Sequence, residues 1–198
     1  MPDESDRYDE ATAHREDMEW IMGMGFVVQR DFLAPLMMEH SVRSVIEFGC
    51  GSGLLAHSLP SGIDYLGVDK APLLLDKARK RNPTMRFVCC DVRNVQEKPR
   101  DLSLAFSFLK HFALSEWEQI LGIILRHGQH AAFNVQIADQ DIDNGVNGFP
   151  HVFVTRERLD KAVHTNGHKV KEITVNSEWD LLCDIKAYDI TIWTSKRE

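Results

Sequence analysis

Glu47, Gly49, Gly51, Gly53, Asp69, Asp91 and His111 are the residues of this chain whose types and spacing could do chemistry. Three glycines at alternate positions follow the apolar run Val45–Phe48, with Cys50 inside the same loop and Leu54, Leu55 and Leu59 opening a helix behind it. A loop without Cβ atoms can take positive φ, and its backbone N–H groups can approach a bound molecule. A dinucleotide fingerprint needs its third glycine three residues after the second; that position is Leu54 here, so the motif is GxGxG. Asp69 ends the next apolar run, sixteen residues after Gly53. A carboxylate there can accept from two adjacent ribose hydroxyls at once, and would be costly to desolvate without such donors. The competing reading of Asp69 is a cap for a helix starting near Pro72. His111 follows a later apolar run, and its imidazole can take a proton from a hydroxyl or an amine, or merely hold its loop through a hydrogen bond.

These residues need a scaffold of alternating strands and helices, and the periodicity supplies one. Strands are predicted at 44–48, 65–68, 86–90, 102–108 and 131–136, alternating with helices at 54–59, 72–81, 115–126 and 156–165. Two further strands, 169–175 and 182–193, have no helix between them and read as a closing hairpin. Before the first strand, 8–24 and 30–39 read as helical pieces broken at Gly23, Gly25 and Pro35. In open sheets of this kind ligands sit beyond the carboxyl ends of the strands, where the loops after Phe48, Val68, Cys90, Phe108 and Gln136 begin.

On Glu47, Gly49, Gly51 and Gly53, followed in order by the strand ends Tyr65–Asp69, Phe87–Val92 and Leu104–Phe112, the chain resembles the class I S-adenosylmethionine (SAM) dependent methyltransferases. The resemblance runs from about Val42 onward, and its strength lies in the ordered set of segments. It implies a Rossmann-like, doubly wound α/β fold: a mostly parallel, seven-stranded sheet with a C-terminal antiparallel hairpin and helices on both faces. SAM is the implied cofactor and S-adenosylhomocysteine the product. Glu47, Gly49, Cys50, Gly51, Gly53, Asp69, Lys70, Asp91, Val92, Phe106 and Ser107 become candidate cofactor contacts, with Asp91 accepting from the adenine amine and Val92 packing on the ring. His111, within a Leu109-Lys110-His111 sequence of the kind the family carries, and His151 are candidate catalytic residues. Rival readings are a SAM-binding module without catalysis and a nicotinamide oxidoreductase, the latter opposed by the missing GxGxxG.

At 198 residues and 43% hydrophobic content, one globular domain is expected, with 1–40 as a helical cap over the acceptor and 41–198 as the SAM-binding domain. No apolar run is long enough for a membrane span and the start is acidic, so a cytoplasmic protein is expected. The net charge of −7 opposes polyanion binding, and nucleic acid is not an expected partner. The basic run Lys77–Arg81 reads as a solvated helix end. No metal is expected: Cys50, Cys89, Cys90 and Cys183 have no ligand spacing and read as buried free thiols. The stretch 137–150 reads as a flexible acidic lid. Its Asp139, Asp141 and Asp143 imitate a calcium loop that lacks the required glycine and glutamate, and would favour a cationic or neutral acceptor. Phe149 and His151 could then reach over a small-molecule acceptor, beneath N-terminal helices bearing Tyr8, Trp20, Met24 and Phe26.

Overall fold

The computed structural model describes residues 32–146, 149–181 and 185–197. The chain divides into two compact units, Met1–Glu97 and Lys98–Glu198. The predicted helix 8–24 and the residues Tyr8, Trp20, Met24 and Phe26 lie outside the described residues.

In the first unit a short helix α1 (Ala34–Glu39), with Pro35 in its first turn, precedes β1 (Ser44–Phe48). There follow α2 (Leu54–Ser58), β2 (Asp64–Asp69), α3 (Pro72–Arg81) and β3 (Arg86–Cys89). The three strands lie in the order β3-β2-β1, all parallel. Helix α3 begins at the residue whose fixed φ suits a first helical position, and Leu74, Leu75 and Ala78 form its buried stripe. Burying each leucine contributes roughly 1.5 to 3 kcal/mol relative to exposure.

The second unit runs β4 (Arg100–Ala105), α4 (Leu114–Arg126), β5 (Gly128–Ala138), β6 (Ile142–Val146), β7 (Phe149–Phe153), α5 (Arg156–Thr165), β8 (His168–Leu181) and β9 (Ile185–Lys196). β4 and β5 are parallel, while β9 runs antiparallel to both β5 and β8. In all, seven strands make a mostly parallel sheet with a C-terminal antiparallel pair, the Rossmann-like arrangement expected of the sequence. Helix α4 buries Trp117, Ile120, Leu121 and Ile124 at helical spacing.

Two departures have local causes. The strand expected to reach residue 108 stops at Ala105, because Ser107 takes φ 53, which ends extended pairing. The stretch expected to be a flexible lid is instead the antiparallel pair β6–β7, with Val146 opposite Phe149 and the Asn144-Gly145 turn signal inside β6. Positions 147 and 148 lie outside the described residues.

Gly67, in the middle of β2, has no room for a side chain: an added Cβ would stand 2.6 Å from Phe87 Cδ1 and 2.8 Å from Cys50 Sγ. Gly67→Ala is therefore expected to lower unfolding free energy by roughly 1 to 3 kcal/mol in urea denaturation. Adding Phe87→Leu, which clears the nearer contact, is expected to lessen the loss; an equal or greater loss would show that the ring is not what Gly67 accommodates.

Candidate functional site

β1 delivers the chain into the glycine loop, and Gly49, Gly51 and Gly53 all adopt positive φ, at 71°, 50° and 72°. The loop holds itself in place. Gly49 N and Cys50 N both donate to Val68 O (2.8 and 3.2 Å), Gly53 N donates to Cys50 O (2.9 Å), and Gly51 N donates to Asp69 Oδ2 (2.9 Å). These four N–H groups face inward, against the expectation that the loop would offer them to a ligand. What the glycines provide is a preformed surface without Cβ atoms. Two residues unforeseen in the sequence clamp it from the end of α3. Arg81 Nη1 donates to Ser52 O (2.6 Å) and Ser52 Oγ (2.9 Å), and Asn82 Nδ2 donates to Gly53 O (2.8 Å). A Cβ on Gly53 would lie 2.7 Å from that same Asn82 nitrogen. Arg81 is thus a loop clamp, where the basic run alone reads as a solvated helix end.

Asp69 makes two backbone ties at once. Its Oδ1 accepts from Ala71 N (2.9 Å), turning the chain into α3, while Oδ2 accepts from Gly51. Burial raises its pKa, opposed by the hydrogen bonds from Ala71, Gly51 and Lys70. A carboxylate has about four lone-pair sites, so acceptor capacity is left for a ligand's hydroxyls. Asp91 opens a single 3-10 turn, Val92–Asn94, accepting from Arg93 N (2.8 Å) and pairing with Arg93 Nη1 (2.8 Å); Val92 is buried beneath it. Lys70 is half-buried, and its carbonyl receives the Cys89 thiol at 3.7 Å. Cys50 is buried, but Cys89 is exposed and Cys90 partly so, which corrects the expectation of uniformly buried thiols; β3 ends at Cys89 and leaves both outside the core.

Glu47 is 4% exposed and accepts a hydrogen bond from the equally buried Tyr65 hydroxyl. The two share one face of the β1–β2 pair, where Tyr65 pairs with Val45 and Gly67 with Glu47. Burial pushes the Glu47 carboxyl up to about 8, countered by the Tyr65 bond, with the Asp69 charge adding to the rise. Near neutral pH the carboxyl is mainly protonated.

In the second unit, buried Phe106 leads into Ser107, whose left-handed backbone is held by a 2.6 Å bond from its N–H to Asn134 Oδ1 on β5. A non-glycine residue in this region stores about 1 kcal/mol or more and points to a functional turn. The 3-10 turn Leu109–His111 follows, with His111 half-buried and its N–H on Phe108 O (3.1 Å). His151 lies on β7 opposite Asn144, and Phe149 opposite Val146; the side chains of both lie outside the described residues. Asp141 Oδ1 accepts from Thr155 N (2.7 Å) and its Oδ2 pairs with Arg158 Nη1 (2.5 Å); burial is the largest single influence on its pKa and raises it, but the Thr155 and Arg158 bonds and the Arg158 charge together outweigh it and lower the pKa; Asp143 Oδ2 accepts from Leu114 N (2.9 Å). These two acids latch the β6–β7 pair to the starts of α5 and α4. They are engaged in backbone hydrogen bonds and an ion pair instead of forming a free acidic lid. Among the described residues no group of three His, Cys, Asp or Glu could hold a metal ion, and no helix is long and apolar enough to cross a membrane.

Residues 45–130 match the family model described as a methyltransferase domain. No curated protein matches the sequence. Among solved structures, the 1,6-didemethyltoxoflavin-N1-methyltransferase of Burkholderia thailandensis, with bound 1,6-didemethyltoxoflavin and S-adenosylhomocysteine, is similar with a TM-score of 0.68 and 16% identity, over 95% of this chain and 85% of that one. Magnesium protoporphyrin IX methyltransferase from Synechocystis, with SAM bound, gives 0.66 and 13%, over 86% and 78%. The cyclase SpnF gives 0.61 and 14%, over 84% and 81%. At these identities the likeness is one of fold, and the cyclase shows that the fold hosts more than one reaction.

The Glu47 carboxyl makes apo stability depend on pH. The folded protein keeps a proton that the unfolded chain releases above about pH 4.5, so stability declines as pH rises from there through about 8. Buried His168, pushed down to about 4 by burial, acts oppositely: stability is lost as pH falls from about 6.5 toward 4. Between about pH 6.5 and 8 the His168 effect is spent and the Glu47 effect remains. Urea midpoints are expected to fall across that window in the wild type and to stay nearly level in Glu47→Gln. A decline that persists in the variant would assign the proton to another group.

Proposed function

We propose that the chain is a SAM-dependent methyltransferase of the class I kind, transferring the methyl group of SAM to an oxygen or nitrogen atom of a small-molecule acceptor; the match of residues 45–130 to a methyltransferase-domain model supports this. The observation that supports this most is the first unit's loop, in which three left-handed glycines are tied by Gly51 N to the carboxylate that closes β2. On this reading Asp69 uses its remaining lone pairs for the ribose hydroxyls, Val92 packs on the adenine, and Gly49–Gly53 admit the amino-acid end without steric hindrance. Lys70, Asp91, Phe106 and Ser107 remain candidate contacts, the last on the strength of its strained turn.

Bound SAM supplies an electrophilic methyl group on a sulfonium. The acceptor's lone pair forms the new bond to that carbon as the carbon–sulfur bond breaks, and the acceptor's proton leaves. Alignment accounts for most of the rate in such a displacement. His111, at the end of its turn, is proposed to orient the acceptor or take its proton; His151 is the second candidate for that role. Neither is required if the acceptor is already a neutral nucleophile.

S-adenosylhomocysteine and SAM are expected to raise the melting temperature at micromolar to millimolar concentration while NAD does not. A shift with NAD alone would overturn the reading. Asp69→Ala is expected to weaken S-adenosylhomocysteine binding by about 2 to 4 kcal/mol in calorimetry. Because Asp69 also holds Gly51 N and Ala71 N, the same change is expected to lower apo stability, unlike a residue that only touches ligand. Unchanged affinity in a folded Asp69→Ala protein would leave Asp69 as a loop tie only.

A further inference from the structure

Alternate residues of β5 share a face, which places Asn134 and Gln136 together near the carboxyl end of the strand. Asn134 Oδ1 is engaged by Ser107 N. Gln136, 4% exposed, presents a buried Oε1 that has no hydrogen-bond partner among the described residues. An unpaired buried carbonyl forfeits its hydration without replacement, so a native fold retains one only with compensation. The backbone of Gln136 is fixed, since its carbonyl accepts from Val154 N at 3.0 Å. The residue also lines a hollow walled by Leu109, Trp117, Val135 and Val152, with Lys110 and Asn134 completing the wall. The free space is about that of one water molecule. Ser103 and His168 also carry buried polar atoms with no hydrogen-bond partner among the described residues, but neither lines this hollow.

We propose that this hollow is an anchoring subsite for the methyl acceptor, in which Gln136 Oε1 receives a neutral O–H or N–H of the substrate. The inference rests on the methyltransferase reading and adds a substrate class to it. An acceptor-only oxygen demands a donor, and the space admits one hydroxyl or amino group and no more. The apolar walls suit the ring or carbon frame that carries it. Lys110 selects against an ammonium, because a second cation in a partly desolvated hollow is repelled. The acceptor is therefore a hydroxylated or neutral N–H-bearing compound, held by a group other than, or the same as, the one methylated.

The test uses a matched series that differs in one group: phenol, aniline and toluene, with benzylamine as the ammonium. Each is titrated by NMR into the full chain saturated with S-adenosylhomocysteine, whose own affinity is measured on the same samples by calorimetry. Phenol and aniline are expected to bind roughly tenfold more tightly than toluene or benzylamine, which corresponds to one net hydrogen bond. Gln136→Met, of similar volume but without the carbonyl, is expected to erase that gap while leaving S-adenosylhomocysteine affinity unchanged; Gln136→Glu, which keeps an acceptor oxygen, is expected to retain it. Equal affinity for toluene and phenol in the wild type would mean that a resident water satisfies Gln136, and would overturn the subsite. A gap that survives in Gln136→Met would overturn it as well. Failure to bind S-adenosylhomocysteine at all would instead sink the methyltransferase reading beneath it.

Discussion

The hydrogen bond from Gly51 N to Asp69 Oδ2 is the constraint on which the first unit's candidate site depends. It joins the end of one strand's loop to the end of the next strand, and it fixes the carboxylate while its other oxygen starts α3 through Ala71 N. The glycine loop can then be rigid without any side chain of its own, since Val68 O and Cys50 O take the neighbouring amides and Arg81 and Asn82 close it from α3. A loop preorganised in this way loses little conformational entropy when a ligand arrives, so binding free energy is not consumed in ordering it.

Beneath the loop the chain keeps a second acid in the opposite condition. Asp69 has backbone donors and is half-buried, whereas Glu47 is buried with the Tyr65 hydroxyl as its hydrogen-bond donor among the described residues and holds its proton near neutral pH. Two carboxyls a short distance apart in sequence and fold are thus separated in role by solvation. Gly67 makes this possible by letting Phe87 and Cys50 close over the same face of β2.

The strand and helix pattern was legible because it rests on local periodicity. Pro72–Arg81 and Arg156–Thr165 read as helices with the boundaries they have, each with a start that Pro72 or Thr155 marks. Glu47, the three glycines and Asp69 were legible because alternate glycines beside an acidic strand have few structural uses. The long-range partners were not. Arg81 reaches Ser52 across 29 positions and Asn134 reaches Ser107 across 27, and no sequence spacing encodes such pairs. The β6–β7 pair was hidden for a related reason. Its aspartates and Asn-Gly steps are turn chemistry by composition, but Asp141 and Asp143 find helix starts to bond, and those tertiary bonds outweigh local preference.

On the proposed reading Asp69 holds the loop and the cofactor's ribose at the same time. A crystal structure of the chain with S-adenosylhomocysteine tests it most directly. The expected result has both ribose hydroxyls within hydrogen-bond distance of the Asp69 carboxylate, with Gly51 N still donating to Oδ2. A nucleoside bound away from Asp69, or a Gly51 amide released from it in the complex, would contradict the account.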